Sequence, residues 1–201
     1  MRPWVLPRNV PRVGLVASSR SLAEKYLAES LPRRWRHVQG VGAQAVRIAD
    51  AYAPDDDLLV AAALLHDIGY APELTVTGFH PLDGARVLRS VGADERLCAL
   101  VAHHSGARIE AAIRGLSDEL AEFVDERTPV RDALWYCDMT TGPDGQRLMF
   151  EERIAEIERR YEPGSVTRRF LADGYDELEA AVQRTTRRLV AAGLVAADQP
   201  M

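Results

Sequence analysis

The sequence predicts an all-α fold, a helical bundle with extra helices at its C-terminal end. Apolar residues recur at helical spacing along most of the chain, and no stretch sustains the two-residue alternation of a half-buried strand. Pro54, Pro129 and the Pro163-Gly164 pair punctuate these stretches where helices should stop or start. The third observation is the run Ala61-Ala62-Ala63-Leu64-Leu65, all strong helix formers, which ends abruptly in His66-Asp67-Ile68-Gly69.

Residues 1–20 read as a mostly unordered, basic, proline-containing extension, with residues 13–16 extended. Pro3, Pro7 and Pro11 lie among Arg2, Arg8 and Arg12 without the apolar run of a signal peptide, and no segment of the chain suits a membrane span. Residues 1–36 carry eight basic and two acidic side chains, a net +6, against −11 for the remainder. Such a leader is read as a solvated tail in preference to a nucleic-acid or partner arm. The overall charge of −5 argues against general affinity for nucleic acid, and no base-reading motif is present. At 201 residues and 47% apolar composition, the chain can bury one good core. Cys98 and Cys137 lie in separate apolar helical runs without ligand spacing, which suits buried thiols in a reducing cytoplasm.

A short helix is expected over 21–29, stopped before Pro32. The next, 33–52, places Val38, Val41, Ala45, Ile48 and Ala49 on one stripe, with His37 at its edge. Arg33, Arg34 and Arg36 flank His37 as a solvated face from which one could reach a phosphate. Asp55 to Asp57 begin the helix over 57–66. Its last residues, His66 and Asp67, are costly to bury unless paired, and a divalent metal is the partner that suits both. Neighbours on a helix diverge by about 100°, so both can face one metal only at a helix end, which Gly69 marks.

The connection 70–79 is long enough to border a site. His80-Pro81 opens a helix over 80–91, where Gly84 and Ala85 permit close packing. Asp94 caps a helix closing in His103-His104; of these two imidazoles, one is expected on a metal and the other on a second metal or a substrate oxygen. Residues 108–126 read as one or two short helices over the site, carrying Arg108 and Arg114. Thr128-Pro129-Val130 starts a helix that ends at Asp138, and 146–161 and 165–193 are charged amphipathic helices without histidine or cysteine. These last are expected to pack on the bundle, with a homodimer interface as the alternative.

The order His37, His66-Asp67, His80, His103-His104, Asp138 resembles the HD-domain superfamily of metal-dependent phosphohydrolases over roughly residues 33–142. The resemblance implies His37, His66, Asp67 and Asp138 as ligands of a first metal. It implies His80 with one or both of His103 and His104 for a second, as in the diadenosine tetraphosphate hydrolases and cyclic-dinucleotide phosphodiesterases. Two features depart from it: Tyr70 stands where many relatives carry lysine, and no Gly-Tyr-Pro follows His104. The organisation expected is therefore an extension (1–20), an HD-type metal-binding helical domain (21–145) and C-terminal helices on the same domain (146–201).

Imidazoles with carboxylates suit Fe, Mn, Co, Zn or Ni, as one or two divalent ions. A two-metal centre can bind a phosphoryl oxygen, generate hydroxide near neutral pH and offset charge on the leaving oxygen. The expected activity is hydrolysis of a phosphoester or phosphoanhydride, of a nucleotide in particular. Asp67 bridges the metals in this reading, and His66 and Asp67 form its catalytic pair. Arg33, Arg36, Tyr70 and Arg108 are the substrate-binding candidates for a small phosphorylated molecule; neither a membrane nor a specific nucleic-acid sequence is an expected partner. The alternatives are a mixed-valence di-iron oxygenase of the same superfamily and a non-catalytic, metal-stabilised binding module.

Overall fold

A computed structural model describes residues 12–195. Within them the helices run α1 (Arg12–Leu27), α2 (Pro32–Ile48), α3 (Asp56–Leu65), α4 (His80–Ser90), α5 (Glu95–Ala102), α6 (Ala107–Arg114), α7 (Ser117–Leu120), α8 (Pro129–Met139), α9 (Phe150–Arg160) and α10 (Val166–Ala191). Among the described residues there is no strand beyond one isolated bridge, Thr141 to Arg147, and the fold is all-α.

The first helix corrects the sequence reading. An unordered stretch to residue 20, with an extended piece at 13–16, is replaced by one continuous helix from Arg12. Ser19, Leu22, Ala23 and Leu27 recur at helical spacing and are buried, and α1 packs along α3. That tertiary contact overrides the weak local propensity of a segment rich in serine and valine. The part of the extension before Arg12 lies outside the described residues.

Helix α3 is the centre of the bundle. Leu59 to Leu65 are buried on every side, against α1, α2, α5 and α8, as expected of a helix apolar all round. It ends at Leu65, and Ile68–Tyr70 follow as a 3-10 turn. Helix α4 then seats on this turn through two glycines. A Cβ on Gly69 would lie 2.1 Å from the carbonyl oxygen of His80 and 2.6 Å from the nitrogen of Gly84. Only a residue without a side chain allows the start of α4 to approach so closely, and the approach brings His80 over the end of α3.

The connection 70–79 is fixed from inside. The buried Asp83 carboxylate accepts hydrogen bonds from the backbone N–H groups of Val76, Thr77 and Gly78 and from the Thr77 hydroxyl, all at 2.9–3.1 Å. Two expected caps are present: Asp94 accepts from the Arg96 N–H on α5, and Thr128 from the Arg131 N–H on α8, whereas α3 starts after Asp55 without a side-chain cap bond. After α8 the chain turns tightly, and Gly145 presses against α2, where a Cβ on Gly40 would meet the Gly145 Cα at 2.6 Å. Helix α9 then begins at Phe150, four residues later than the periodicity suggests, because 142–147 is used by this turn. Helix α10 lies across α8 and α6, burying Phe170, Leu178, Ala181, Val182 and Leu189. No helix among the described residues is long and apolar enough to cross a membrane.

Candidate metal centre

Four helix ends and one helix face converge between α2, α3, α4, α5 and α8. His37 comes from the inner face of α2, His66 and Asp67 from the end of α3, and His80 from the first residue of α4. His104 opens the 3-10 turn after α5, and Asp138 lies in the last turn of α8. They form two groups close enough to hold an ion each: His37, His66 and Asp138, and Asp67, His80 and His104. Asp67 faces both. Its Oδ2 lies 3.3 Å from His66 Nε2 and 3.7 Å from His37 Nε2, while its Oδ1 lies 3.3 Å from His80 Nε2 and 3.9 Å from His104 Nε2.

The hydrogen bonds behind the rings decide what the groups can do. Nδ1 of His37 donates to the Gly142 carbonyl at 3.1 Å, that of His66 to Ala63 at 2.8 Å and that of His104 to Val101 at 2.6 Å. Each bond fixes the tautomer with the proton on Nδ1 and leaves the inward Nε2 with a lone pair. Burial holds His37 below its ordinary value despite the nearby carboxylates, and burial, His80 and His66 push His104 down to about 3, whereas Asp67 and Asp138 raise His66 against the effect of burial. The inward atoms are left in conflict: with His37 neutral its Nε2 lone pair faces Asp138 Oδ1 at 3.0 Å, and the Nε2 atoms of His104 and His80, 3.1 Å apart, can share at most one proton. The buried Nε2 of His66 has no hydrogen-bond partner at all. A cation among them resolves each of these conflicts, and imidazole and carboxylate are suitable donors for a divalent transition metal.

The surrounding charges are arranged to keep the carboxylates ionised. Burial opposes this for Asp67, yet the Arg34 guanidinium, 2.7 Å from its Oδ2, and the neighbouring His66 and His80 hold it well below the usual carboxylate range. Asp138 is likewise depressed against the effect of burial, by His37 and His66, with Arg153 contributing. The Ser105 hydroxyl donates to Asp138 Oδ2 at 2.5 Å. Ser105 achieves this at φ 44°, ψ 46°, a left-handed conformation that non-glycine residues adopt at a cost.

A cavity of about 260 Å³ opens over Asp67, His80 and His104, and reaches the first group at Asp138. Tyr70 borders it, its ring stacked on His80 at 3.9 Å between centroids, with the Arg34 guanidinium 4.1 Å from the Tyr70 centroid. Arg114, Arg153 and Arg160 reach it from α6 and α9.

Four of the sequence-predicted site residues are placed elsewhere. His103 turns away from both groups and bonds the Phe123 carbonyl through Nε2 at 2.8 Å, because adjacent residues at the end of α5 diverge. Arg33 and Arg36 both hold Asp144 from positions more than half exposed, and neither lines the cavity over the two groups. Arg108 pairs with Glu177 on α10, also outside the cavity. Sequence reasoning named Arg34 among the arginines flanking His37 but left it out of the substrate-binding candidates, and it passed over Ser105, Arg153 and Arg160. For Arg34 a signal existed: at about 100° per residue it falls within the arc of Val38, Val41 and Ala45, whereas Arg33 and Arg36 fall outside. Arg153 and Arg160 arrive from a distant helix, and nothing in their local sequence marks them.

Among known proteins, the chain is 37% identical over 97 residues to a tRNA (cytidine(56)-2'-O)-methyltransferase of Picrophilus torridus, covering 46% of this chain and 28% of that protein. It is 41% identical over 75 residues to a protein of the same name from Thermoplasma volcanium, covering 37% of this chain and 22% of that one. The chain thus spans only about a quarter of the length of these relatives. No solved structure matches it. The HD domain model matches residues 34–141, more than half of the chain and the segment that carries both His–Asp groups. On that match the chain belongs to the HD-domain family.

Proposed function

We propose that this protein is a metal-dependent phosphohydrolase that cleaves a phosphoester or phosphoanhydride, of a nucleotide in particular. The observation that carries the reading is Asp67, with one carboxylate oxygen toward each of two His-containing groups whose bare Nε2 atoms converge. When bound there, divalent metals supply Lewis acidity toward a phosphoryl oxygen and lower the pKa of water. The chain's own residues do the rest. The Nδ1–H bonds to Gly142, Ala63 and Val101 lock three rings in the orientation a ligand needs. Asp67 sets the spacing between the groups. Arg34 and Arg153 line the cavity beside them, where forked donors bind non-reacting phosphoryl oxygens and offset charge in the transition state. Neither cysteine lines this cavity, so no thiol nucleophile takes part.

The test is incubation of the protein with Mn²⁺ or Fe²⁺ and a panel of nucleotides, dinucleoside polyphosphates, cyclic dinucleotides and a tRNA with terminal phosphates. The tRNA arm follows the names of the two matched relatives. Phosphate release that Asp67→Ala abolishes, with the fold intact by circular dichroism, is the expected result. Turnover retained at the wild-type rate in Asp67→Ala removes the proposal. Oxygen uptake by anaerobically iron-loaded protein, without phosphate release, would replace it with the oxygenase alternative.

A further inference from the structure

Beside the cavity over the two groups lies another, of about 310 Å³, between the first turn of α2, Pro143 and α9. Its wall carries Arg33, Arg34, Arg153 and Arg160, with His37 of the first group, and no carboxylate. The acids that pair with these arginines, Asp144, Asp67 and Glu156, do not line it. The two cavities have Arg34, Arg153 and Arg160 in common. Arg153 is 5% exposed, and its buried Nε has no hydrogen-bond partner. Residues 30–34 also belong to this wall, and Leu31 gives α2 no side-chain cap, so the first N–H groups of a 17-residue helix add to the positive potential.

Four cationic side chains around a space without an anionic one constitute a site for a doubly charged oxyanion, which arginine binds through its forked donors. Resting on the phosphohydrolase reading, we propose that this arginine cavity receives a second phosphoryl group of the substrate. The substrate class is then a compound with at least two phosphoryl groups, one at the Asp67 centre and one among the arginines. Two of the four arginines, Arg153 and Arg160, come from α9, outside the segment that matches the HD domain.

Isothermal titration of metal-stripped protein with inorganic pyrophosphate and with orthophosphate tests this without turnover. Without metal the Asp67 centre offers a carboxylate to the anion, so binding is expected among the arginines alone; Arg33 lines only that cavity and Arg114 only the other, and the two variants report which is filled. Pyrophosphate is expected to bind at least about tenfold more tightly than orthophosphate, to weaken about tenfold in Arg33→Ala and Arg160→Ala, and to stay within about twofold in Arg114→Ala. Arg33 is an exposed residue whose removal leaves the core intact, so misfolding does not obscure the result. Equal affinity of wild type and Arg33→Ala for pyrophosphate overturns the proposal, as does a loss confined to Arg114→Ala. Arginine-dependent pyrophosphate binding in a protein that hydrolyses nothing in the panel would instead sink the hydrolase reading alone.

Discussion

Replacing Gly69 with alanine should remove one of the two His–Asp groups and spare the other. The added methyl would lie 2.1 Å from the His80 carbonyl oxygen and 2.6 Å from the Gly84 nitrogen, both backbone atoms that cannot rotate away. Ordinary contact begins near 3 Å, so the first turn of α4 must retreat by about 1 Å, a strain of the overpacking kind worth about 1–3 kcal/mol. His80 sits on that turn, 3.3 Å from Asp67 Oδ1 and 3.1 Å from His104 Nε2, and such a shift breaks its group. His37, His66 and Asp138 stand on α2, α3 and α8, none of which carries α4's first turn. Metal content by mass spectrometry after anaerobic loading and desalting should fall from about two ions per chain to about one, and hydrolysis by about 100-fold. The melting temperature should drop by roughly 3–10 °C for a chain of this size. Undiminished metal content and a rate within a few-fold of wild type would refute the reasoning, since the close approach of two backbones would then not be what positions His80.

Other perturbations probe other supports. Ser105→Ala removes the hydroxyl bonded to Asp138 and should weaken metal binding by about 10–100-fold in competition with a chelator. Ser105→Gly should weaken it equally yet melt higher than Ser105→Ala, by about 1 kcal/mol, because glycine accepts φ 44° freely; identical melting of the two would contradict the strain. Asp83→Ala removes the buried acceptor of three backbone donors and should cost about 2–3 kcal/mol in urea unfolding, with proteolysis appearing first within 70–79. Burial pushes the Cys98 thiol from 9.0 up to about 12. Its folded value exceeds its unfolded one, so its contribution is whole below pH 9 and declines from there toward pH 12. The decline is about 1.4 kcal/mol per pH unit, and it should be absent from the urea-unfolding profile of Cys98→Ala.

What the sequence made legible is the part written in local pattern. The apolar run of α3, the break at Gly69, the cap at Asp94 and the start of α8 at Thr128-Pro129 are each decided within a few residues, and the structure follows them. The convergence of His37, His66, Asp67, His80, His104 and Asp138 was anticipated from their order along the chain. Two errors came from treating neighbours as equivalent. His103 and His104 differ by one residue, and so does Arg34 from Arg33, yet the turn of the helix sends one member of each pair inward and the other away. The first part of helix α1, up to residue 20, was missed because its stability resides in contact with α3 more than in its own residues. Arg153 was invisible for a related reason: it acts at a distance of more than a hundred positions from His37, and amphipathic spacing on α9 accounts for it equally well as a surface residue.

The Asp83 carboxylate beneath residues 76–78 bears on the timing of events at the site. A stretch tied down by three backbone donors and a hydroxyl opens only when that whole set breaks together. This side of the cavity is a fixed rim, and passage in and out does not wait on its swinging. Association measured by stopped flow should accordingly give a single phase whose rate rises linearly with ligand concentration, without the plateau that a slow gating step imposes.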